Sequence, residues 1–190
     1  IQESLRRMGF GLFRFVFDPL AIAKRDHYVE AWQALVTAQK MGLIRSIGVS
    51  NFEPEHLDRI IEETGVTPAV NQIEIHPYWV QEERLSENER RGIVTEAWSP
   101  LGRGTVSLEE DILKKLAEKY NKTPGQIVIR WHLDRGILPV VKSSNPQRQR
   151  DNLAVFDFHL TEDELAAINQ LNKPDGRVDG QDPNEYEEFD

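Results

Sequence analysis

The chain has 190 residues, 39% of them hydrophobic, which suffices for one packed domain or a large piece of one. Its 32 acidic residues against 23 basic ones give a net charge of −9, so there is no basic field for a phosphate backbone and nucleic acid is excluded as a partner. No cysteine is present, which rules out a disulfide framework and a thiolate metal site and makes a cytoplasmic protein the expectation.

The amino terminus, IQESLRRMG, is polar and helix-like and lacks the apolar centre of a signal peptide. It begins at Ile1 rather than Met, so the natural start is expected upstream. No later run is long enough to span a bilayer, and no membrane partner is expected. GLFRFVF then has the Phe, Val and Leu content of a buried strand, with Arg14 an awkward charge in its middle.

DHYVEAWQALVTAQKMG sets Tyr28, Val29, Trp32, Leu35 and Val36 at helical spacing and stops at Gly42. LIRSIGVS reads as a short buried strand. In EPEHLDRIIEETG, Pro54 stands at a helix start, where its missing N–H costs little, and Gly65 follows the last turn. PAVNQIEIHPYW is the next strand, QEERLSENERRG a polar helix and IVTEAWS a further apolar run.

Ser107 with Glu110 fits a capping box for a helix over SLEEDILKKLAEKY, and Thr123 with Gln126 fits one for QIVIRWHLDRG. ILPVVKSS is the last strand, and Thr161 with Glu164 caps the final amphipathic helix, ELAAINQLN. The tail 173–190, rich in Asp, Glu, Gly and Pro, reads as a surface extension.

Strands alternating with helices through short loops predict parallel βαβ units, an α/β class, and a single domain over 1–190. In parallel barrels ligands sit at the carboxyl ends of strands. The polar residues there are Ser50 and Asn51 after LIRSIGV, Gln72 in NQIEIHPYW, Trp98 and Ser99 after IVTEA, and Lys142, Ser143, Ser144 and Asn145 after ILPVV. Amides and hydroxyls for a carboxamide, an aromatic face for a flat ring and cations for a phosphate form one set suited to a nicotinamide dinucleotide phosphate.

Each has a plainer role available. Ser50 and Asn51 can cap the helix beginning near Pro54, Trp98 can be core, and Lys142, Arg148 and Arg150 can be surface cations. His76 has no second metal-type residue at useful spacing, so it reads as structural and no metal is expected.

LIRSIGVSNF, NQIEIHPY, EAWSPLG and VVKSSNPQRQRDN together resemble the later signatures of the aldo-keto reductases, nearest to the bacterial 2,5-diketo-D-gluconate reductase-like subgroup. The resemblance runs from about Asp26 to the end. It implies a (β/α)8 TIM-type barrel, incomplete here and represented by about its last five strand-helix units, that binds NADPH across its carboxyl face and reduces a small-molecule aldehyde or ketone.

By the same resemblance Ser50, Asn51 and Gln72 would hold the carboxamide and Trp98 would stack on the nicotinamide, with Ser99 and Leu101 beside it. Lys142, Ser143, Ser144, Asn145 and Arg148 would hold the adenosine 2′-phosphate, and Asn152 would reach the adenine. Cations at those positions favour NADPH over NADH.

The family's catalytic Asp, Tyr and Lys belong to strands before Ile1, so no catalytic residue is assigned, and Pro19 stands where the family's His belongs. Codons for 11–23 read one nucleotide later can spell DYFDLYLIHWPLP, the kind of segment the family has there. A compensating pair of single-base shifts, near Phe10 and Ala23, is the expected cause. The chain alone is therefore expected to be inactive and poorly stable or associating. A non-catalytic NADPH-binding or subunit protein of the same fold is the alternative.

Overall fold

The computed structural model describes residues 13–18, 27–104 and 106–183. The expected Pro19 substitution, the amino-terminal helix and the last seven tail residues lie outside them. The chain divides into two compact units, one built on residues up to 73 with 83–95, the other on 74–82 with 96–180.

The first unit is a parallel α/β assembly. Strand β1 (Phe13–Asp18) pairs in parallel with β2 (Ile44–Ser50) over Phe13↔Ile44 to Asp18↔Val49, so the described part of GLFRFVF, from Phe13 on, forms a strand. Strand β2 pairs in turn with β3 (Val70–Glu74), and the Val94 N–H at the start of β4 (Val94–Trp98) reaches the Ala69 carbonyl (3.1 Å). Helices α1 (Tyr28–Lys40) and α2 (Pro54–Thr64) make the crossovers, and a short polar α3 (Glu82–Arg90) precedes β4.

The expected apolar face of α1 is the face that is buried. Tyr28, Val29, Trp32, Leu35 and Val36 join Ile44, Ile47, Val49, Phe52, Leu57 and Ile60 in one core. Burying each such side chain contributes about 1.5–3 kcal/mol. Polar groups inside this unit are paired: Trp32 Nε1 donates to Thr64 Oγ1 (3.1 Å), and the Asn71 amide donates to the Phe52 carbonyl (3.0 Å) and to Asn88 Oδ1 (3.2 Å). The Asn88 amide passes the chain on to Thr95 Oγ1 (3.0 Å).

The second unit takes up β4 at Glu96 and pairs it in parallel with β5 (Leu138–Pro139) through Glu96↔Leu138 and Ala97↔Pro139. Helices α4 (Asp111–Tyr120), α5 (Pro124–Asp134), α6 (Pro146–Leu153) and α7 (Glu162–Asn169) complete it. The capping boxes at Thr123/Gln126 and Thr161/Glu164 are both formed. The one expected at Ser107/Glu110 is not, and α4 starts only at Asp111. Its side chains are spent elsewhere: Ser107 Oγ accepts the Glu109 N–H (3.2 Å), and the Glu110 carboxylate accepts the Tyr78 hydroxyl. The expected last strand, ILPVVKSS, is also shorter than its apolar run, with regular pairing confined to Leu138 and Pro139. Pro139 has no N–H to extend a ladder.

Two buried histidines belong to this unit. His76 is fully buried with Nε2 3.0 Å from Glu74 Oε1, in keeping with a structural role. His132 on α5 is fully buried between the Val128 (2.8 Å) and Ile75 (3.0 Å) carbonyls, and burial pushes its imidazole down to about 4. Arg135 lies against the Trp131 ring (4.3 Å to its centroid) and donates to the Val80 carbonyl and to Glu82 Oε1 (both 3.0 Å).

Candidate functional site

In the first unit the ends of β2 and β3 draw three of the singled-out residues together. Ser50 and Gln72 are register partners across the two strands. The Ser50 hydroxyl donates to the Gln72 carbonyl (3.0 Å), and so does the Asn51 N–H (2.8 Å). Asn51 turns into the left-handed region at φ 59, which ends the strand and swings the chain away toward α2.

The capping role open to Ser50 and Asn51 is not the one they take. The N-cap of α2 is Glu53, which exchanges reciprocal bonds with His56 (Glu53 N–H to His56 Nδ1, 3.2 Å), while its carboxylate pairs with Arg84. Burial lowers the His56 pKa, which keeps Nδ1 available as that acceptor. Relieved of the cap, Ser50, Asn51 and Gln72 gather amide and hydroxyl groups at the carboxyl end of a parallel pair.

In the second unit Trp98 ends β4 and is half-buried, so it is not a core tryptophan like Trp32 or Trp131. Ser99 follows with φ 48, and its carbonyl accepts the Gly102 N–H (2.7 Å), folding the half-buried Leu101 into a tight turn. The Arg103 guanidinium lies 5.6 Å from the Trp98 ring centroid, a cation–π contact. Arg103 was not singled out from the sequence; a cation between two glycines, just downstream of a strand-end tryptophan, is the signal that was there to read.

After β5 the chain presents Lys142, Ser143, Ser144 and Asn145, with Lys142, Ser144 and Asn145 exposed. Asn145 caps α6, its Oδ1 accepting the N–H groups of Gln147 (2.8 Å) and Arg148 (3.2 Å), and Ser143 Oγ accepts the Asn145 N–H (3.2 Å). The exposed Lys142 stands three residues before this cap and the exposed Arg148 lies in the first turn of α6, at the helix's positive end. Asn152 sits half-buried in the last turn of α6, while Arg150 turns to Gln147 Oε1 (2.8 Å). Two cations, two hydroxyls and a helix amino end form a donor set that fits a phosphate monoester. The hydroxyl and amides at β2 and β3 have the chemistry to fit a carboxamide.

A model of the Aldo/keto reductase family matches residues 1–173. The chain is 52% identical to methylglyoxal reductase DkgA of Yersinia pestis over 188 residues, covering 96% of this chain and 68% of that protein. It is 43% identical to 2,5-diketo-D-gluconic acid reductase B of a Corynebacterium strain, covering 100% of this chain and 68% of that one. Among solved structures, a variant of Gox0644 in complex with NADPH superposes with a TM-score of 0.93 at 45% identity, over 98% of this chain and 68% of its own. An aldo-keto reductase of Bombyx mori in complex with NADP gives 0.84 at 38% identity, over 90% and 61%. The chain thus spans about two thirds of the length of the curated relatives it matches.

Proposed function

This chain belongs to the aldo/keto reductase family, and from that premise we propose that it carries the NADPH-binding portion of an oxidoreductase that reduces the aldehyde or ketone group of a small molecule. The substrate class is that of its relatives, a short dicarbonyl such as methylglyoxal or a keto sugar acid. We read 1–190 as part of one barrel domain, with 173–190 as its tail.

Ser50, Asn51 and Gln72 would hold the cofactor's carboxamide and Trp98 would stack on the nicotinamide, with Ser99 and Leu101 beside it. Lys142, Ser143, Ser144, Asn145 and Arg148 would take the 2′-phosphate, and Asn152 the adenine. Bound NADPH supplies a hydride to the carbonyl carbon. The residues here orient and retain that cofactor, and none of them is assigned the proton that the carbonyl oxygen must receive.

The observation that carries this reading is the release of Ser50 and Asn51 from capping duty: Glu53 takes the cap, and both groups are fixed on Gln72 instead.

Titration of the purified chain with NADPH, followed by tryptophan fluorescence, tests it. Saturable quenching, weaker with NADH and mostly lost in Trp98→Phe, is expected, without consumption of NADPH when methylglyoxal is added. A folded sample that shows no quenching would overturn the assignments. The gene's nucleotide sequence tests the paired shift: codons for 11–23 that do not spell LIHWP one nucleotide later refute it.

A further inference from the structure

Helix α6 carries Arg148 and Asn152, yet none of its described side chains is buried, so no apolar contact of its own fixes where it lies. Its amino end is finished locally, by Asn145 and Ser143. Its carboxyl end is held instead by polar side chains of the neighbouring helix.

Lys122, Gln126, Arg130 and Asp134 recur every fourth residue along α5 and its approach, and so share one face. Each of them grips the segment 151–160. The Lys122 ammonium donates to the Ala154 carbonyl (3.1 Å) and to both Asp157 carboxylate oxygens (2.7 and 2.8 Å). Gln126 Nε2 donates to the carbonyls of Asp151 and Ala154 (both 3.0 Å), Arg130 Nη1 donates to the Val155 carbonyl (3.1 Å), and Asp134 Oδ2 accepts the Leu160 N–H (2.9 Å).

Within this row Gln126 is the member that acts on α6 itself. Asp151 and Ala154 stand in its last turn and at its C-cap, where the regular i→i−4 ladder runs out. Gln126 is buried, at 6% exposure, and its amide cannot turn over: Oε1 already accepts the Thr123 N–H (2.9 Å) and hydroxyl (3.1 Å). One side chain thus caps α5 with its oxygen and tethers α6 with its nitrogen.

We propose that Gln126 is a positioning residue for the cofactor's adenosine end: its two bonds set the place of α6, and with it Arg148 and Asn152, and so the preference for NADPH over NADH. This rests on the reading that Arg148 faces the 2′-phosphate and Asn152 the adenine. Loss of two buried hydrogen bonds corresponds to about a tenfold change in an equilibrium between seated and displaced α6.

Gln126→Glu separates the two duties, because a carboxylate still accepts the Thr123 N–H, as in an ordinary capping box, but has no N–H for Asp151 and Ala154. Hydrogen exchange without cofactor and dissociation constants for NADPH and NADH, read by tryptophan fluorescence, decide the matter. The expected result is faster exchange at the α6 amides, unchanged exchange in α4, and an NADPH affinity about tenfold weaker with much less change for NADH, which has no phosphate for Arg148 to meet. Lys122→Met keeps the stem and removes one bond to Ala154, so it should act in the same direction more weakly, and it decides alone if the Gln126 variant does not fold. Unchanged exchange in α6 overturns the tether. Faster exchange with an unaltered ratio of the two affinities overturns its link to cofactor choice, since a role in stability alone lowers the melting temperature without moving that ratio. An unsubstituted chain that binds no NADPH overturns the cofactor reading itself, and this inference with it.

Discussion

Held neutral by burial, His132 takes a proton more readily in the unfolded chain than in the folded one, its pKa dropping from 6.5 to about 4. Its contribution to stability is therefore complete above the unfolded value and drains away as pH falls through 6.5 toward 4. Urea midpoints should decline across that window, and the decline should shrink in His132→Gln; an identical pH profile in the variant would refute the assignment. Glu164 acts lower on the scale. Burial alone would raise its pKa, but the Lys119 ammonium (2.7 Å), the Thr161 N–H (2.9 Å) and the Tyr120 hydroxyl (2.7 Å) outweigh it and hold the carboxyl down at about 2. The stability it confers is present above the ordinary 4.5 and is lost as pH falls toward 2. Glu164→Gln should cost about 1–2 kcal/mol near neutrality, read from chemical denaturation, since the carboxylate is the stronger acceptor for all three donors.

Elements were legible where their signals were local. The box at Thr123 sits within one turn of its partner Gln126, and the Thr123 hydroxyl accepts that residue's N–H (3.3 Å) as spacing predicts. Thr123→Ala should lower stability by about 1 kcal/mol, and a thermal scan showing no change would mean that α5 is held by its tertiary contacts alone. The apparent box at Ser107 and Glu110 failed because its partner, Tyr78, lies 32 residues away in sequence, beyond the reach of any spacing rule. Helix α6 escaped notice for the opposite reason: PQRQRDNL buries no side chain, so it carries no apolar period, and a proline start with an Asn cap is its only mark. The strand-end residues of the candidate site were found because they follow apolar runs. The polar anchor that frees two of them, Glu53, has nothing in the sequence to set it apart from the chain's other acidic residues.

At the scale of the whole molecule, the second unit exposes apolar surface that a finished domain normally covers. Leu138 (49%) and Val140 (48%) stand at a strand that pairs, among the described residues, with β4 alone, and Leu153 (71%) and Phe156 (68%) are open as well. An unpaired apolar edge is a template for a second copy. Sedimentation should therefore detect self-association that grows with concentration and is weakened by Val140→Lys; a monomer at all concentrations would show that this surface is harmless. The segment after α7 carries a consequence of another kind: the Lys173 N–H donates to the Tyr78 carbonyl (3.0 Å), and Gly176 rests directly on that carbonyl. Because a backbone carbonyl, unlike a side chain, has no rotamer with which to step aside, the space above Tyr78 admits hydrogen and nothing larger at position 176. In a saturation library that site would behave as a switch and not a scale, with alanine lost as completely as tryptophan, while the exposed Asp175 beside it tolerates either.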